Sequence, residues 1–150
     1  MFLQKFVKAF AFSLMLMAST AHSESTAPSS VTIANNSGGT IAAFAMDTAD
    51  YRSSGTQVKF MGRCDSACTL FLSLPSNQTC VSRGASFRFH APFGVSARAQ
   101  QSAQAYLMGK YPRWVRAWIK SNNGLSRQLI TMNYNYASQF MRSCDVVASR

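Results

Sequence analysis

The chain is 150 residues long, with 15 Lys and Arg against 5 Asp and Glu and a formal net charge of +10. That length suits one domain with a modest core and leaves no room for a second. The basic excess points to acidic or anionic partners in general, and the export signal described next disfavours nucleic acid among them.

Lys5 and Lys8 precede an apolar run, Ala9 to Ala18, which gives way to Ser19, Thr20, Ala21, His22 and Ser23. Charged, then apolar, then small is the order of a secretory signal peptide. The run is too short for a finished membrane span. Residues 1–23 are therefore read as a signal, cut after Ala21 or Ser23, and the protein as exported across the inner membrane to the periplasm. About 127–129 residues remain. They open with a flexible leader at 24–30, rich in Ser, Thr, Ala and Pro, and the domain occupies 31–150.

Val31-Thr32-Ile33 alternates as a short strand does. Gly38-Gly39 breaks it. Ile41, Phe44, Ala45, Thr48 and Tyr51 recur at helical spacing, and the helix stops near Gly55. Gln57 to Met61 predicts a second strand, Gly62 to Cys64 a turn, and Ser66 to Leu74 a short helix closed by Pro75. Ser76 to Gly84 reads as a polar loop and Ala85 to His90 as a third strand. Strand, helix, strand, helix, strand implies parallel pairing with right-handed crossovers. The remainder reads as helical: Ala97 to Met108, then Pro112 to Lys120, then a helix capped by Ser126 and running through Thr131. Pro112 to Lys120 puts Trp114, Val115, Trp118 and Ile119 on one side and Arg113, Arg116 and Lys120 on the other. Packing on the sheet is the favoured use of that apolar side, ahead of contact with a membrane surface.

Cys64, Cys68, Cys80 and Cys144 all lie in the exported part, an even number in an oxidising compartment, and so suggest two disulfides with three pairings available. Cys80 follows the far end of the 66–74 helix, about 15 Å away by helix rise, and a disulfide needs Cα atoms within about 7 Å. That favours Cys64–Cys68 with Cys80–Cys144. Zinc is the rival use. The spacing is not that of paired ligand turns, and His90 is the only histidine deep in the exported part. No metal and no cofactor is expected.

Three places carry the residue types of acyl-transfer chemistry. Ser66 stands where a strand turns into a helix, a position that projects a hydroxyl, although serine also opens helices as a plain cap. His90 ends a strand 24 residues later. A neutral imidazole there could take the Ser66 proton and return it to a leaving group. Gly38 and Gly39 lie between a strand and a helix, where backbone N–H groups lack helical partners and could hold an oxyanion. The Ala67 N–H, next after the nucleophile, is the second donor candidate. Asp65 is read as a solvent-facing acid at the helix start.

Asn35-Asn36-Ser37-Gly38-Gly39, Gly62 to Cys68, Arg83-Gly84-Ala85 and Phe89-His90-Ala91-Pro92, in that order, resemble the proteolytic subunit of Clp protease and the wider crotonase superfold. The likeness covers roughly residues 31–93. It implies an α/β fold, a reduced crotonase/Clp-protease-like core of parallel strands with crossover helices and a helical C-terminal part, with Ser66 as nucleophile, His90 as base and the Gly-Gly segment as oxyanion hole. Cys64 to Thr69, Phe89 to Ala91, Tyr111 to Ile119 and Gly124 to Ser126 also resemble a group of small exported bacterial proteins. That second likeness implies fold and export rather than an activity.

Two departures matter. Clp-type cores have a strand–helix unit before the Gly-Gly strand, which here would be replaced by the C-terminal helices or by a second subunit, hence a homo-oligomer. The family also places an aspartate after the histidine, and Met132 to Ser143 holds none. Asn133 or Asn135 could orient His90 with an amide oxygen instead, and Asp145 is the only carboxylate downstream. The expectation is a periplasmic serine hydrolase, in peptidase form, acting on a peptide or protein. The alternative is an inactive envelope protein that binds a peptide or protein on the same scaffold.

Overall fold

The computed structural model describes residues 28–145. The signal at 1–23 and the first part of the leader lie outside the described residues. The rest is α/β, built on a five-stranded mixed sheet. Strand β1 (Ser30–Asn36) leads to helix α1 (Ile41–Ser54), strand β2 (Gln57–Asp65), a 3-10 helix (Ser66–Ser73), β3 (Thr79–Val81) and β4 (Ser86–Phe89). Helices α2 (Ala97–Lys110) and α3 (Arg113–Ser121), strand β5 (Ile130–Asn133) and the single turn α4 (Tyr134–Ala137) follow.

Strand β2 is the axis. It pairs in parallel with β1 along one edge. Along its other edge it pairs first with β3 and then, past a break, with β4, again in parallel. β5 closes the far side antiparallel to β4. The expected turn at Gly62 to Cys64 is instead the second half of β2, because Arg63 to Asp65 pair with Ser86 to Arg88. The β1–β2 register slips between Ile33 and Asn35. Gly62 sits at that bulge, where a Cβ would lie 1.6 Å from the Ala34 carbonyl oxygen, so only glycine fits.

Two further expectations are corrected. The polar loop contains β3, which buries Thr79 and Val81. The helix after Ser126 is absent: Ser126 Oγ accepts from the Gln128 N–H in a local turn, and Ile130 to Asn133 form β5.

Alternation along the strands sends Ile33, Val58, Phe60, Cys64, Phe87, Phe89 and Met132 to one face, where all are buried. Helix α1 and the 3-10 helix pack there through Phe44, Tyr51 and Phe71. Helix α3 packs there too: Val115 and Ile119 are buried, and Trp118 tilts against Phe89 at 5.7 Å. Helix α3 therefore lies on the same face as α1, not on the opposite one. That face shows Thr32, Lys59, Met61, Arg63 and Thr131 to solvent among the described residues, although parallel sheets are usually covered on both sides.

The disulfides join Cys64 to Cys68 and Cys80 to Cys144, as the helix-rise argument favours. Among the described residues, no helix is long and apolar enough to cross a membrane.

Candidate active site

The spatial order β1, β2, β4 explains why three distant pieces of sequence meet. These neighbouring strands run in parallel, so their carboxyl ends open on the same side of the sheet. β1 releases Ser37-Gly38-Gly39 there, β2 releases Ser66, and β4 releases His90. Ser66, directly after the central strand, stands between the other two. In α/β sheets the carboxyl ends of the strands are the usual place for ligands.

Ser66 has φ +54, one of two non-glycine residues with positive φ among the described residues. A left-handed L-residue carries roughly 1–2 kcal/mol of strain. It is held here by the strand before it, the helix after it and the Cys64–Cys68 bridge across it. A sharp, strained strand-to-helix turn is how hydrolases expose a serine nucleophile.

Gly38 presses against this turn. A Cβ at Gly38 would lie 2.5 Å from the Asp65 carbonyl oxygen, 2.8 Å from Ser66 Cβ and 3.1 Å from the Ala67 nitrogen, and Gly38 itself has φ +82. The Gly38 N–H donates to Asn36 Oδ1 at 2.8 Å, which corrects its expected role as an oxyanion donor. Gly38 is the residue that permits close approach, and Asn36 folds the loop that carries it. The Gly39 N–H has no hydrogen-bond partner among the described residues. The Ala67 N–H lies in the first turn of the 3-10 helix, where backbone donors lack intrahelical acceptors. Gly39 and Ala67 thus keep backbone N–H groups without partners beside Ser66 among the described residues.

His90 is half-buried, and its ring packs against Phe93 at 5.3 Å. Its Nδ1 lies 2.7 Å from the Ala91 carbonyl oxygen. A carbonyl only accepts, so Nδ1 carries the proton, and in the neutral ring Nε2 keeps its lone pair. That is the tautomer a general base needs. Ala91 is fixed in turn by its own N–H, which donates to the Ser126 carbonyl at 2.6 Å. A backbone carbonyl thus holds the His90 ring, and neither Asn133 nor Asn135, the candidates for that contact, bonds to it among the described residues. Asn133 pairs with Ser86, four residues before His90 and roughly 13 Å from it along the chain. Its Oδ1 caps α4 by accepting from the Tyr136 N–H, and both asparagines line a separate depression beside Arg83. Asp145 follows Cys144, whose N–H bonds to Val81 on the short strand β3.

Asp65 is corrected as well. It is 4% exposed rather than solvent-facing and makes no capping bond. Arg88, its cross-strand partner, grips it with Nε at 2.7 Å on Oδ1 and with Nη2 on Oδ2, and Arg63 Nε adds a contact at 3.0 Å. The bond to Asp65 raises the Arg88 pKa above its ordinary value. The carboxylate beside Ser66 is therefore neutralised by two guanidinium groups, on the strand face opposite buried Cys64.

Ser66, His90, Gly38 and Gly39 line one cleft of about 510 Å³. Ile41, Pro92, Phe93 and Val95 make most of its apolar wall, with Ser37 and Thr40 as polar neighbours. Phe93 and Val95 are 65% and 54% exposed, an apolar rim that sequence reasoning did not single out. Their position just after the His90 strand end was the available signal. No group of three or more His, Cys, Asp or Glu that could hold a metal occurs among the described residues. No protein-family model matches this chain, and no curated protein does.

Proposed function

We propose that this is an exported serine hydrolase, acting on a peptide or another carbonyl substrate from a reduced crotonase/Clp-like core. The observation that carries the reading is the meeting of a strained Ser66, His90 and the Gly38-Gly39 loop around one cleft at the carboxyl ends of three adjacent strands. In this reading Ser66 Oγ attacks the substrate carbonyl carbon while its proton passes to His90 Nε2. The developing oxyanion accepts from the Gly39 and Ala67 N–H groups. His90 then protonates the leaving group, and water, deprotonated by His90, releases the acyl group from Ser66. The Ala91 carbonyl does the orienting, so the catalytic unit is a dyad. Two disulfides agree with export to an oxidising compartment.

The exposed Phe93 and Val95 favour a second reading, an inactive scaffold that holds a peptide in the same cleft. Hydrolysis of p-nitrophenyl acetate and of a fluorogenic peptide library by the oxidised protein separates the two. The hydrolase reading expects turnover that Ser66→Ala and His90→Ala each lower by about a thousandfold or more. Turnover indifferent to both substitutions, or none with the peptides still bound, would favour the scaffold.

A further inference from the structure

Beneath Ser66 lies a buried polar pair that the catalytic reading does not use. Thr69 is 0% and Tyr111 3% exposed, and their hydroxyls meet at 2.7 Å across 42 residues of sequence. Thr69 Oγ1 also donates to the Ser66 carbonyl oxygen at 2.6 Å. A threonine hydroxyl has one proton, and here it goes to Ser66. The Tyr111 hydroxyl must therefore be the donor to Thr69. The relay has one direction: Tyr111 to Thr69 to the Ser66 carbonyl.

A threonine bonding back to the carbonyl three residues earlier is a common local habit. The phenol is not local. Valine and phenylalanine would fill the same space with no polar group to satisfy, and a buried hydroxyl left without a partner is destabilising. The pair therefore calls for an account beyond packing.

Peptide geometry supplies one. The Ser66 carbonyl and the Ala67 N–H belong to one planar trans unit, so they point in opposite directions. Drawing the carbonyl into the core turns the N–H outward. Gly38, which lines the cleft, stands close to this amide: a Cβ there would lie 3.1 Å from the Ala67 nitrogen. Tyr111 also supports the base. Its ring stands edge-on to Phe89 at 5.6 Å and 88°, and Phe89 directly precedes His90. The Tyr111 backbone is held at both its groups, its N–H by the Leu107 carbonyl at 3.0 Å and its carbonyl by Arg116 Nη1 at 2.9 Å.

We propose that Tyr111 and Thr69 are positioning residues for the oxyanion site: they pin the Ser66 carbonyl inward so that the Ala67 N–H faces the cleft, while the Tyr111 ring backs the strand that ends in His90. The catalytic consequence rests on the hydrolase reading; the orientation of the peptide unit does not. Burial raises the Tyr111 pKa to about 12, so the phenol keeps its proton, and the relay its direction, at any ordinary working pH.

The test uses the oxidised protein with Thr69→Val, Thr69→Ser and Tyr111→Phe, the last of which keeps the ring on Phe89. Thermal unfolding establishes that each variant is folded. The ¹H–¹⁵N resonance and solvent exchange of the Ala67 amide read the peptide unit directly, and p-nitrophenyl acetate kinetics read its consequence. Thr69→Val is expected to move the Ala67 amide and to lower kcat at least about tenfold, up to the roughly hundredfold loss of one oxyanion donor, with KM within about twofold. Tyr111→Phe should lower kcat about fivefold, the weight of one neutral hydrogen bond, and Thr69→Ser should restore both readouts. An Ala67 amide unmoved in folded Thr69→Val overturns the proposal, as does a kcat equal to that of the wild type. If the wild type shows no acylation, the hydrolase reading fails, and the amide alone still decides the relay.

Discussion

At the amino end of β2, Arg142 reaches back to bond the Thr79 carbonyl at 2.9 Å, the Asn77 carbonyl at 3.0 Å and the Gln57 side chain. Beside it the Cys80–Cys144 bridge closes a sequence separation of 64. At the carboxyl end of the same strand, long-range ties such as Tyr111 to Thr69 and Arg88 to Asp65 stand beside local devices under tension. Ser66 has φ +54, Gly38 lies against it with φ +82, and the Cys64–Cys68 bridge spans a separation of only 4. One end is held by long-range ties alone; the other adds strain and backbone donors without partners. Strain of this kind persists only where the surroundings over-determine it. The stapled end lets a small domain carry a strained one.

That contrast can be broken from either side. The largest expected effect on stability is the loss of the Cys80–Cys144 bridge. Replacing both residues with Ser should lower unfolding free energy by about 4 kcal/mol on chain-entropy grounds, read from urea midpoints, while the folded fraction keeps its serine reactivity. Gly38→Ala comes next: clash with the Ser66 turn and the left-handed backbone together predict a loss of about 2–3 kcal/mol, with reactivity lost as well. Removing the Cys64–Cys68 bridge should lower stability by only about 2 kcal/mol yet abolish most of the reactivity, the reverse of the first pair. The smallest effect has the opposite sign. Ser66→Gly should be more stable than Ser66→Ala by about 1 kcal/mol, because glycine relieves the positive φ. Equal melting of those two variants would show that Ser66 is not strained in solution.

Where sequence pattern and local chemistry agreed, the reading was direct. α1, with its Gly55 end, and the apolar stripe of α3 follow from helical spacing, and the cysteine pairs from chain geometry. The errors fall where pairing outweighed local preference. Gly62 reads as a turn residue, yet it is required inside β2 because the Ala34 carbonyl passes where a Cβ would stand. Ile130 to Asn133 alternates as a strand does, but the Ser126 cap signal outweighed four residues. Asp65 looked like a surface cap because its partner, Arg88, is 23 residues away and meets it only across the sheet. Ser66 and His90 were legible as types in order. The Ala91 carbonyl was not, since a backbone group that replaces a side chain leaves no mark in sequence.

The central claim is that Ser66 is an activated nucleophile. The most direct measurement is labelling of the oxidised protein with a fluorophosphonate probe, the adduct located by mass spectrometry, beside Ser66→Ala and His90→Ala. The account predicts a single adduct on Ser66 that both substitutions eliminate. A folded, fully disulfide-bonded sample that takes no label, or takes it equally with His90 replaced, would contradict it.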